Sequence, residues 1–207
     1  MKVKTLFLIC FLSITCLLNA ADKPVIQIHT DNSSLIFRIA DNGRLYQSYL
    51  GKKLSHETDI SHLPHGTEAY ITHGMEDYFE PAIHILHNDG NPSLLLKYVS
   101  HETKAVSQGV NETIITLGDD KYPVTVKLHY VTYPAEDIIK TYTEISHKEK
   151  KPVVLHQYAS SMLHLNRAKY YLTEFAGDWA HEANISDQPL EFGKKVLDTK
   201  LGARANM

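Results

Sequence analysis

Apolar and polar side chains alternate most regularly between Tyr122 and Leu165. Val124, Val126, Leu128 and Tyr130 are interleaved with Thr125, Lys127 and His129, a period of two that lays one apolar row along one face of a strand. Tyr133-Pro134-Ala135-Glu136-Asp137 has turn chemistry, because Pro134 cannot donate to a ladder. Ile138 to Ile145, rich in β-branched and aromatic residues, reads as a second strand. Ser146 to Pro152 is a charged turn, and a third strand runs from Val153 towards Leu165. Such a meander needs a second layer over its apolar face, so the rest of the chain is expected to be mostly strand.

The preceding residues fit. Val25 to Thr30 alternates weakly, as an edge strand does. Leu35, Phe37 and Ile39 lie on one side of the next strand, with Arg38 on the other. Asp41-Asn42-Gly43 predicts a hairpin turn, because Asn-Gly accepts positive φ, and Leu45 to Gly51 is the return strand. Lys52 to Glu68, polar and aperiodic with Pro64 and Gly66, reads as a surface loop of the length that often carries function. Ala82 to Leu86 and Leu94 to Ser100 are expected strands around the turn Asn88 to Pro92, and Thr113 to Leu117 is another. After Leu165, the four-residue spacing of Tyr171, Phe175 and Trp179 permits a short helix, against which Gly177 counts. Gly193 to Met207 shows neither cap nor strand.

At the N-terminus, Lys2 and Lys4 precede the apolar run Leu6 to Leu18 and the small residues Ala20 and Ala21. This is the pattern of a secretory signal peptide, residues 1–20, with cleavage after Ala20; the run is short for a membrane span. Cys10 and Cys16 would leave with it, so the mature chain, 21–207, would have no disulfide, thiol nucleophile or cysteine zinc site. A formal charge of −3 with scattered lysines argues against a nucleic-acid surface.

Candidate chemistry is sparse. The 13 histidines show no repeated spacing. His84 and His87, three apart on a strand, would point to opposite faces. His62 and His65 lie in the loop, where a metal or ligand could be touched, but no third or fourth ligand is visible. A glycosidase needs two carboxylates facing across a sugar at about 5 Å or roughly 6.5–9.5 Å. The neighbours Glu76-Asp77 and Asp119-Asp120 diverge or sit in a turn, and both pairs are expected to be solvated. Ser160-Ser161 lacks a nucleophile elbow, and no glycine loop cradles phosphate. Trp179, the only tryptophan, fits a core anchor or a platform on which a pyranose stacks.

Several ordered motifs resemble the N-terminal domain of α-galactosidases of glycoside hydrolase family 36. They are Leu45-Tyr46-Gln47-Ser48-Tyr49-Leu50-Gly51; Glu68-Ala69-Tyr70 with Gly74-Met75-Glu76-Asp77-Tyr78-Phe79-Glu80-Pro81-Ala82; Lys97-Tyr98 with Ser100-His101; Val126 to Tyr130 with Asp137-Ile138-Ile139; and Phe175-Ala176-Gly177-Asp178-Trp179-Ala180-His181-Glu182. Their order covers about Ser33 to Met207. Phe79 and His181 stand where the family usually has Arg, and Thr199-Lys200-Leu201-Gly202 replaces a Ser-Arg-x-Gly stretch.

The resemblance implies an all-β fold, a large antiparallel β-sandwich (supersandwich), ahead of a catalytic (β/α)₈ barrel that this sequence does not reach. Both catalytic aspartates would lie in that barrel, so this chain is expected to hold no catalytic residue, metal or cofactor and to be inactive alone. The implied activity of the whole is retaining hydrolysis of terminal α-galactosides. The implied partners are α-galactoside sugars, a barrel in the same or a separate chain, and further copies in a homo-oligomer, with no nucleic acid and no membrane after signal cleavage. In family tetramers the counterpart of the Lys52–Glu68 loop reaches a neighbour's sugar pocket, which nominates Asp59, His62 and His65 beside Trp179 for substrate contact. The expected location is secreted or periplasmic, in a bacterium. The alternative is a free-standing carbohydrate-binding or assembly domain without enzyme activity.

Overall fold

The computed structural model describes residues 23–74, 79–165, 169–178 and 181–198. The expected signal peptide, Glu76-Asp77, Trp179 and the stretch from Thr199 lie outside the described residues. The chain forms two compact units that divide after Met162.

The first unit is built on two four-stranded antiparallel sheets. One contains β1 (Val25–His29), β2 (Ser33–Ile39), β3 (Leu45–Lys52) and β4 (Thr67–Glu68), in that order. The other contains β6 (Leu96–Ser107), β7 (Val110–Asp119), β8 (Val124–Tyr133) and β9 (Ile138–His147). Alternation sends Ile26, Ile28, Leu35, Phe37 and Ile39 inward from the first sheet. Ile115, Leu117, Val124, Val126, Leu128 and Tyr130 meet them from the second, in one buried core. The Phe37 and Tyr130 rings lie 5.2 Å apart at the centre. Burying such rows is the main stabilising term of a two-layer β fold.

Asp137, at φ 56°, ties the two sheets at one end. Its carboxylate accepts hydrogen bonds from Thr30 Oγ1 and the Asn32 N–H in the β1–β2 turn and from Ser33 Oγ at the start of β2. The Thr30 hydroxyl first, then that of Ser33 and the Asn32 N–H, hold its pKa below the usual aspartate value. Aspartate tolerates the left-handed region better than most residues.

The β2–β3 hairpin, with Gly43 at φ 81°, and the edge position of β1 match the expected pattern. The expected three-strand meander does not form. After β9 the chain leaves the sheet, and β10 (Val154–Tyr158) instead pairs antiparallel with β5 (Ile83–Leu86) as a separate two-stranded sheet. The charged run Lys148 to Lys151 carries the chain away from the β9 edge, and Tyr70 Oη donates to the Ala159 carbonyl at 2.8 Å. Nor is Lys52–Glu68 purely a loop: it contains a short helix, α1 (Glu57–Ser61), and β4.

The second unit carries a hairpin of β11 (Tyr171–Asp178) and β12 (His181–Pro189), in which Phe175 opposes Ile185. The short helix permitted there by the aromatic spacing is not formed, because Tyr171, Thr173 and Phe175 also satisfy a period of two.

Candidate functional site

The segment between β3 and β4 is the principal candidate, because it carries three of the four nominated residues and is held in place by the sheet beneath it. The outer side of the first sheet supplies the grip. Ser34 Oγ accepts the Leu54 N–H at 3.0 Å. Arg38 Nη2 donates to the Ile60 carbonyl of α1. Ser48 Oγ donates to the His65 carbonyl at 3.0 Å. Ser48 owes its direction to a β-bulge, since Ile36 opposes Tyr49 and Phe37 opposes Gln47, leaving Ser48 as the extra residue. Ile60 is buried beneath α1, so the excursion has a hydrophobic foot as well as backbone ties.

At the far end, Gly66 has φ 81°, and a Cβ there would lie 1.9 Å from the Gln47 carbonyl oxygen. Only glycine lets the chain turn back so close to β3. Arg44 and Glu68 then form a two-pronged ion pair across β3 and β4, Nε to Oε1 at 2.9 Å and Nη2 to Oε2. The pair is almost wholly buried, a setting in which planar guanidinium–carboxylate geometry counts most.

Asp59, His62 and His65 are all exposed on this anchored excursion. His62 Nδ1 lies 2.6 Å from the Thr58 carbonyl and 3.2 Å from Ser61 Oγ, leaving Nε2 on the solvent side. No hydrogen bond or ion pair among the described residues joins the three side chains. Among the described residues no group of three or more His, Cys, Asp or Glu side chains is arranged to hold a metal ion. The fourth nominee, Trp179, lies outside the described residues. Ser34, Arg38 and Ser48 escaped the sequence reading. Arg38 was legible as outward-facing, but Ser48 depends on a bulge that no local pattern announces.

A second polar cluster covers the outer face of the β6–β9 sheet. Buried Glu112 accepts hydrogen bonds from Tyr142 Oη at 2.6 Å and His129 Nδ1 at 2.9 Å, and pairs with Lys104 Nζ at 3.0 Å. The Tyr142 hydroxyl first, and then His129, hold the Glu112 carboxyl down to about 2. His129 stacks on Tyr142, and its Nε2 is buried without a hydrogen-bond partner. This network joins cross-strand neighbours, and His129 and Tyr142 also line a very small pocket together with Tyr70, Thr143 and Ser160.

His84 and His87 separate, as their spacing implied. His87 is buried, stacked on Tyr122 at 3.6 Å, with Nδ1 2.7 Å from Glu149 Oε1. His84 packs with His73 and His156. Asp119 is a builder of its turn rather than a solvated acid. Its carboxylate accepts the N–H groups of Leu95, Lys121 and Tyr122 at 2.6–2.8 Å, while exposed Asp120 pairs with Lys97. A shallow cleft of about 190 Å³ beside this turn is lined by Asn91, Ser93, Asp119 and Tyr122. Tyr122 Oη there already bonds Asp89 and Asn91.

Residues 42–206 match the sequence profile of the glycosyl hydrolase family 36 N-terminal domain. The chain is 23% identical over 147 residues to a probable α-galactosidase G of Aspergillus terreus, and equally to α-galactosidase C of Emericella nidulans. Each alignment covers 65% of this chain and 20% of the relative. Among solved structures, the α-galactosidase AgaA of Geobacillus stearothermophilus superposes with a TM-score of 0.76 at 19% identity, over 88% of this chain and 31% of that one. The galactosidase domain of the α-galactosidase–sucrose kinase AgaSK gives 0.73 at 20% identity, over 82% and 28%. Variants of AgaA have been solved with raffinose and with stachyose, at TM-scores of 0.74 and 0.71, 18% and 17% identity, and 88% and 31% coverage in both cases. The chain therefore spans about a fifth of the curated relatives it matches and under a third of these solved chains.

Proposed function

The chain belongs to the glycosyl hydrolase family 36 N-terminal domain family, and on that premise we propose that it is the non-catalytic front domain of an α-galactosidase-like glycoside hydrolase. The observation that carries this reading is the proportion of the match. This domain fills 82–88% of the chain but only 28–31% of AgaSK and AgaA. The chemistry of the whole, retaining hydrolysis of terminal α-galactosides, would then belong to a barrel in the same or a separate polypeptide. Raffinose and stachyose, the sugars bound by the AgaA variants, indicate the substrate class.

Two tasks remain for the domain in this reading. Its sandwich supports the barrel and the assembly of copies. Its anchored excursion presents Asp59, His62 and His65 towards a neighbour's sugar, a use supported by their exposure and by the grip of Ser34, Arg38 and Ser48 on the backbone. Rigid presentation lowers the entropy cost of a contact. Residues 1–20 serve as a secretory signal, and the mature protein works in the periplasm or outside a bacterial cell.

The test is the mass and N-terminal sequence of the natural product that carries this domain. A polypeptide about three times longer than this chain and beginning at Ala21 is expected. A natural product of this length that binds no barrel subunit would sink the front-domain reading, and a retained Met1 would sink the secretory one.

A further inference from the structure

Three imidazoles from three separate segments form a column at the side of the first unit. His73 belongs to the stretch that follows β4, where Thr72 makes a parallel bridge to Ile83 and the His73 N–H donates to the Ile83 carbonyl at 3.0 Å. His84 lies in β5. His156 lies in β10, and a bulge puts it there. Leu155 opposes Ile85 and Gln157 opposes His84, so His156 is the extra residue, re-aimed over the partner strand. The rings of His73 and His84 stack at 3.7 Å and 13°, and those of His84 and His156 lie 4.8 Å apart.

These contacts bear on a lightly held strand of the unit. β10 meets the rest of the fold through four ladder pairs broken by that bulge. Gln157 Nε2 adds bonds to the Pro81 carbonyl at 2.7 Å and to Glu80 Oε1 at 3.3 Å. Val154, Leu155 and Tyr158 stay largely exposed. Through the His84–His156 contact the column adds a side-chain tie between β5 and β10 to these bonds.

Protonation changes its sign. Neutral imidazoles stack favourably, whereas imidazolium cations less than 5 Å apart repel. His73 Nδ1 is buried without a hydrogen-bond partner; as an imidazolium it would have to present an N–H there with no acceptor, which is costly. We propose that the His73–His84–His156 column is a pH-sensitive clasp, closed on β10 while its rings are neutral and opened by acid. Burial first, and then the neighbouring charges of His73 and His156, push the His84 pKa below its ordinary 6.5. A depressed histidine favours the neutral form in the fold. The clasp is thus fully closed above about pH 6.5 and is lost as the pH falls below it. The titratable groups facing His84 are His73 from the segment after β4 and His156 from β10, with Glu80 alongside through Gln157.

The experiment is hydrogen exchange, read by mass spectrometry on the full chain at pH 7.5 and 5.0 and corrected for the intrinsic pH dependence. Protection of amides 154–158 is expected to fall at least tenfold at pH 5.0, while β8 amides change less than twofold. In His84→Gln and, separately, in the milder surface variant His156→Gln, the fall should shrink below threefold. In Glu80→Gln it should persist. An unchanged β10 in the native chain, a full tenfold fall in both histidine variants, or a fall abolished only in Glu80→Gln would each overturn the clasp.

Discussion

Glu112→Gln isolates the polar network on the outer face of the second sheet. The carboxylate accepts from Tyr142 Oη and His129 Nδ1 and faces Lys104 Nζ at 3.0 Å. Glutamine keeps the shape and one acceptor oxygen. Its amide N–H₂ then faces the half-exposed Lys104 ammonium, while the oxygen keeps Tyr142 Oη and His129 Nδ1 as a neutral acceptor only, so both buried bonds lose their charge assistance. Hydrogen bonds to a charged group contribute about 1.5–3 kcal/mol each, and the Lys104 contact is half exposed and counts for little. The expected loss is about 2–3 kcal/mol at pH 7, which lowers Tm by roughly 5–10 °C for a protein of this size.

The pH dependence has a definite sign. Glu112 titrates at about 2 in the fold against an ordinary 4.5, so its contribution is complete above pH 4.5 and is lost as the pH falls towards 2. At pH 3 less than about half of the difference between native and variant should remain. Urea unfolding at pH 7 and pH 3 measures both gaps. A gap under about 0.5 kcal/mol at pH 7, or the same gap at both pH values, would refute the reasoning.

Three further outcomes follow from the packing. Phe37→Ala empties the centre of the core beside Tyr130 and should cost about 3–5 kcal/mol in urea unfolding. Ser48→Ala removes one tie of the anchored excursion. It should lower global stability by only about 1 kcal/mol but raise hydrogen exchange across residues 54–65, and unchanged exchange there would count against the anchoring. Asp137→Ala loses the bonds to the β1–β2 turn and the start of β2 yet keeps the strained φ of 56°, whereas Asp137→Gly relieves that strain. The alanine variant should therefore melt at the lower temperature of the two.

Much of the fold was legible where one face is buried and the other is not. Alternation marked the β2–β3 hairpin, β8 and β9, and Asn42-Gly43 marked the turn between the first two. Partner choice was not legible. Nothing local tells Val154–Tyr158 to pair with β5 rather than β9, because both edges offer the same backbone groups. β6 was read only as far as Ser100, because its remaining residues, His101 to Ser107, lie exposed and mostly polar on an edge and show no apolar row. The five-residue α1 escaped because His56 makes no side-chain cap. Of the candidate site, the exposed Asp59, His62 and His65 were visible as a polar stretch with turn residues. Its anchors depend on register, and on one bulge, and emerge only once the strands are paired.

Hydrolysis of p-nitrophenyl α-D-galactopyranoside by the purified 207-residue chain tests the central claim most directly. The proposed non-catalytic role predicts that the chain releases nitrophenol no faster than buffer at any pH at which it is folded. Sustained turnover that follows this chain through purification and is lost on its denaturation would contradict the account, because it would put the catalytic carboxylates inside the β-domain itself.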